Sequence, residues 1–159
     1  MDWDARTILQ KMKKHVFVVV GGTVLLLALS IVATVSHNRS LQRAWPAKQL
    51  ENATTLGRAL ADFRRSYGTY PENLFSLVEG STVTYEEFRN LRFSASPGSQ
   101  PQEWLYNRPK SKSETAIVAP DWVFPWDGHS GYRVTASADG GGELILGTKD
   151  YRLPEWVTK

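Results

Sequence analysis

VFVVVGGTVLLLALSIVATVS, residues 16–36, is a run of 21 residues without a charge. A bilayer core about 30 Å thick is crossed by about 20 apolar residues rising 1.5 Å each, so this run is long enough to span one. A core helix apolar on every side needs a much larger protein around it than 159 residues provide. The run therefore reads as a transmembrane helix, and it divides the chain. A cleaved signal peptide is the competing reading, since Lys11, Lys13 and Lys14 precede the run. The run exceeds the usual ~7–15 residues of a signal core and no small-x-small cleavage site follows, so retention as an anchor is expected.

Four basic residues, Arg6, Lys11, Lys13 and Lys14, stand before the span, and three, Arg39, Arg43 and Lys48, follow it. That bias favours a cytoplasmic N-terminus. The net charge is only +3, and the basic residues flank the span, where they match anionic headgroups rather than nucleic acid. Cysteine is absent, which excludes disulfides, thiolate catalysis and cysteine metal sites. Four segments result: 1–15 at the cytoplasmic interface, 16–36 in the membrane, 37–46 as a linker, and 47–159 as an extracytoplasmic domain held by packing alone.

Before the span, residues 2–14 carry Ala5, Ile8, Leu9 and Met12 on one helical face, and either a short interfacial helix or a solvated leader fits them. After it, Pro46 is expected to break or kink the helix and to open a new one. From residue 47 to 67, Leu50, Ala53, Leu56, Leu60, Phe63 and Tyr67 recur at spacings of three and four, giving an amphipathic helix about 31 Å long that stops at Gly68. Thr84 and Glu87 have capping-box spacing, and residues 94–102 are a loop by composition. EWLYN, TAIVA, YRVTASA and ELILG are short strand candidates. YRVTASA alternates as a half-buried strand does, with Arg133, Thr135 and Ser137 on its outer face, and the Asp139–Gly142 turn joins it to ELIL as an antiparallel hairpin. A long helix followed by a small antiparallel sheet is an α+β arrangement.

LGRALADFRRSYGTYPENLFSLV, residues 56–78, resembles the helix-end region of type II secretion major pseudopilins, the matching residues being Tyr67, Gly68, Tyr70 and Pro71. His129, Asp139 and Gly140 resemble the motif of prepilin-type proteins with a His, nine residues, then Asp-Gly. EWLYN and TAIVAP also fall where such proteins carry strands, so the likeness runs in order over roughly residues 47–147. It implies a pseudopilin-like domain facing the periplasm from a bacterial inner membrane. It also implies that C-terminal loops of this type bind calcium. The N-terminus departs from the pattern: KKHVFVVVGGTVLLL has neither a leader glycine before the apolar run nor the glutamate that registers pilin subunits.

A metal site would draw on Asp127, His129, Asp139 and Glu143, with Asp121 as a further oxygen donor, but these are not spaced as a known calcium loop. The structural reading is favoured: Asp139-Gly140 turns the hairpin and His129 starts its first strand. An enzyme is not expected, since His129 is the sole histidine outside the span's flanks and no nucleophile-elbow motif is present. His15 and His37 stand at opposite ends of the span, where interfacial placement accounts for them better than cofactor ligation. No cofactor is therefore expected. The partner-binding candidates are aromatic and small. Trp122, Phe124 and Trp126 lie in a proline-stiffened stretch, residues 119–128, although a core role is the better account of two of them. Trp156 lies in the tail, and Gly21 and Gly22 allow close helix approach within the span. The expected function is a non-catalytic single-pass subunit docking into a larger membrane complex for transport, respiration or photosynthesis. The alternatives are a pseudopilin-type component of a type II secretion or type IV pilus-like system, and a small metal-binding module centred on His129.

Overall fold

The computed structural model describes the backbone of residues 5–123, 131–147 and 154–157. Its first element, α1 (Ala5–Tyr67), is helical throughout. The remaining elements are α2 (Ser76–Glu79), α3 (Tyr85–Asn90), the strands β1 (Leu105–Tyr106), β2 (Thr115–Val118), β3 (Tyr132–Ser137) and β4 (Gly142–Leu146), and a 3-10 turn over Glu155–Val157. The fold is α+β. Residues 1–40 and 41–159 form two compact units. In the first, the large apolar side chains described are exposed, from Val35 at 40% to Leu26 at 67%. From Val19 on, α1 is the one helix among the described residues long and apolar enough to cross a membrane.

In the second unit the sheet is an antiparallel meander in the order β1-β2-β3-β4. Leu105 pairs with Val118, Val118 with Thr135, and Thr135 with Glu143. Ala53, Leu56 and Leu60 of α1 share one buried cluster with Ile117, Val134 and Ala136 of the sheet, so the amphipathic face seen at three- and four-residue spacing buries itself against the strands. The β3–β4 turn lies directly on α1. A Cβ on Gly57 would overlap the Ser137 carbonyl oxygen and come within 3.0 Å of the Gly140 Cα, so this approach needs glycine.

Three expectations are corrected. The helix does not break at Pro46, and residues 37–46 are helical rather than a linker. Pro46 removes one intrahelical donor, normally a cost of about 3 kcal/mol. Here tertiary contacts hold the helix: Trp45 Nε1 donates to the Ser94 carbonyl at 2.7 Å, Ser94 N donates to Gln49 Oε1 at 3.2 Å, and Pro46 and Gln49 are buried. Nor is β3 half-buried, because Arg133 and Thr135 on its outer face are 8% and 5% exposed. The stretch after β2 folds back over that face, and Arg133 Nε and Nη2 donate to the carbonyls of Ala119 and Pro120 at 2.9 and 3.2 Å. Finally, β1 keeps only two of the five residues of EWLYN in the ladder. Trp104 is instead drawn into the core, where its ring meets Phe93 edge-on at 5.2 Å and its Nε1 donates to the Leu91 carbonyl.

Candidate functional site

The Tyr-Gly-x-Tyr-Pro stretch forms a corner at the end of α1. Gly68 adopts φ +77°, the left-handed conformation that closes a helix, and its N–H returns to the Arg64 carbonyl at 2.8 Å. Tyr70 is buried under Arg64, whose Nη1 donates to the Tyr70 hydroxyl at 3.1 Å. The Tyr67 ring leans on Phe63 at 4.4 Å and its hydroxyl donates to the Gly80 carbonyl. Pro71 offers its carbonyl to the Tyr106 hydroxyl at 2.7 Å, and burial raises the Tyr106 pKa well above the ordinary tyrosine value. Of the four motif residues, Pro71 ties the helix end to the sheet edge through Tyr106, while Gly68 and Tyr70 close on Arg64 and Tyr67 reaches the Gly80 carbonyl.

The Asp139-Gly140 pair sits in the β3–β4 turn. Asp139 accepts from the Ser137 hydroxyl and from Gly141 N–H, and these bonds hold its carboxyl below the usual range. Gly140 takes φ +86°. Glu143 is exposed on β4. Asp127 and His129, with Phe124 and Trp126, lie outside the described residues. Among the described residues no group of three or more His, Asp or Glu side chains could hold a metal ion.

Of the aromatic candidates, Trp122 is half-buried with the Arg133 guanidinium 5.6 Å from its ring, so part of its surface caps a buried cation. Desolvation of that cation lowers the Arg133 pKa, and the Asp121 carboxylate acts in the opposite direction. Trp156 is half-buried in the 3-10 turn. A Cβ added at Gly21 or Gly22 would meet nothing within 4 Å beyond the helix's own backbone.

One concavity is not signalled by the sequence. A cleft of about 490 Å³ opens between residues 72–75, Phe88 of α3 with Leu91 and Arg92 just beyond that helix, and residues 103–106 around β1, with Leu56 of α1 among the residues lining it. Phe75 is 47% exposed and meets Phe88 edge-on at 6.1 Å. Its polar rim is Glu72, Glu103 and Arg92, with Arg92 Nη2 3.5 Å from Glu103 Oε1. These residues come from four separate stretches whose apolar members read individually as core. Only the exposed Phe75 departs from that reading.

In comparisons with known proteins, no family model, curated sequence or solved structure matched the chain.

Proposed function

We propose that this chain is a single-pass membrane subunit, held by residues 16–36, whose α+β domain serves as a non-catalytic docking module of a larger membrane complex. The observation that carries the reading is the first unit's apolar surface: side chains such as Leu25, Leu26 and Val32 are 61–67% exposed, with none of the spanning window buried. In water an exposed apolar area of that extent is strongly unfavourable, at roughly 25 cal/mol per Å², whereas lipid removes the cost. The excess of basic residues before the span supports a cytoplasmic N-terminus, and the pseudopilin resemblance supports a periplasmic domain on a bacterial inner membrane. A pseudopilin-like ancestry for the domain is part of the same reading, supported by a helix ending in the Tyr-Gly-x-Tyr-Pro corner beside an antiparallel meander.

Fractionation of cells making the full chain tests the anchor. The protein is expected in the membrane pellet after alkaline carbonate, with a C-terminal tag accessible to protease only from the periplasmic side. Recovery of intact chain in the soluble fraction without detergent overturns the proposal. Mass spectrometry of the native N-terminus distinguishes the runner-up, because a methylated residue just before the apolar run would place the chain in a pilus-like filament instead.

A further inference from the structure

The cleft beside β1 has three properties that together specify an occupant. The first is a short strand edge left open beyond Gln102, whose own outward backbone groups pair with Phe93. Asn107 N–H donates to the Ala116 carbonyl, which sets the ladder's phase: Leu105 and Asn107 face β2, and the backbone N–H and C=O of Tyr106 turn outward. No described residue bonds the backbone groups of Trp104 either, and β1 is the terminal strand of its sheet. The second is an apolar floor along that edge, made by Leu74, Phe75, Phe88 and Leu91. The third is the charge of the rim. Glu103 shares Arg92 at the long distance of 3.5 Å, while Glu72 has no ion pair among the described residues, so the rim carries excess negative charge.

We infer that this cleft binds an extended segment of a partner protein that adds a strand to β1, sets alternate apolar side chains on Phe75, Phe88 and Leu91, and places a lysine or arginine against Glu72 and Glu103. An outward N–H and C=O row is satisfied by another extended backbone, which is the logic of β-augmentation. A compact apolar ligand would leave that row unpaired, and an anionic one would meet the carboxylates. The other sheet edge, β4, is exposed along most of its length. This assignment rests on the docking role proposed above and names the docking surface.

The test uses the full chain in nanodiscs and a displayed library of randomised ten-residue peptides. Enrichment of sequences with alternating apolar residues and at least one lysine or arginine is expected. The best peptide is then synthesised and its affinity measured by fluorescence anisotropy. N-methylation of its alternate backbone nitrogens should weaken binding at least tenfold, and so should the exposed-rim variant E72K/E103K. That variant should in turn gain affinity for the same peptide with its basic residues changed to glutamate. No enrichment, or binding indifferent to both N-methylation and rim reversal, overturns the inference. So does self-association abolished by E72K/E103K, since the occupant is then a second copy. Failure of the anchor reading is separately visible: the chain would leave the membrane pellet whether or not the peptide binds.

Discussion

Replacing Gly57 with alanine sets two effects against each other at one position. Alanine in a helix interior is favoured over glycine by about 1 kcal/mol. At Gly57 the added methyl would overlap the Ser137 carbonyl oxygen and lie 3.0 and 3.2 Å from the Gly140 Cα and N. All three obstacles are backbone, so no side chain can rotate away, and the β3–β4 turn must lift off the helix. Gly140 and Gly142 are themselves pressed against Arg58 and Thr54, so the lift disturbs several contacts. Overpacking of this kind costs about 1–3 kcal/mol. Because the overlap is with rigid groups, the upper part of that range applies, and the net loss after the propensity gain is about 1–2 kcal/mol. For a folded unit spanning residues 41–159, that corresponds to a Tm lowered by roughly 4–8 °C. Differential scanning calorimetry in detergent measures it, with Gly21→Ala as the control, since a Cβ added at Gly21 would meet nothing within 4 Å beyond the helix's own backbone. A G57A protein as stable as the parent, or more stable, would refute the close packing of turn on helix.

Replacing Arg133 with methionine removes the donors held by the Ala119 and Pro120 carbonyls. A loss of about 2–3 kcal/mol in denaturant unfolding is expected, with lysine restoring only part of it. Trp45→Phe deletes the bond to the Ser94 carbonyl and should cost about 1 kcal/mol. Thr84 N–H and hydroxyl both donate to Glu87 at the start of α3, while Glu87 N–H donates back to the Thr84 hydroxyl, so T84A should destabilise by about 1 kcal/mol. These bonds lower the Glu87 pKa from its ordinary 4.5, as those in the hairpin turn lower Asp139 from 3.8. With folded values below unfolded ones, their contribution is present above the ordinary pKa values and is lost as the pH falls through the folded ones. E87Q and D139N should therefore flatten the acid limb of a plot of Tm against pH, and an unchanged limb would contradict both assignments.

Much of this fold is legible in residue order because local chemistry decides it. Thr84 and Glu87 form the capping box their spacing predicts, Gly68 ends the long helix, and Asp139-Gly140 turns the hairpin. What was hidden depended on partners distant in sequence. Pro46 signals a break, yet Ser94 bonds to Trp45 and Gln49 on either side of it. The alternation in YRVTAS signals a wet outer face, yet residues 119–122 cover it. Nothing local marks Gly57 as a close contact, because the turn that needs its bare Cα comes some eighty residues later. The cleft was invisible for the same reason: its walls are ordinary core-type residues brought together from separate stretches.

The double-sided burial of β3 also bears on how errors are rejected during folding. Val134 and Ala136 face the helix, while Arg133 and Thr135 occupy the opposite side under the 119–122 stretch. A slip of one residue against β2 would exchange the two sets. In a sheet with one wet side, such a mispairing merely wets some apolar groups. In this sheet it would drive a guanidinium into a hydrocarbon interior offering no carbonyl pair to receive it, at a cost of several kcal/mol. The arginine thus acts at both alignments: its bonds to the Ala119 and Pro120 carbonyls favour the native one, and its unpaired charge penalises the nearest wrong one.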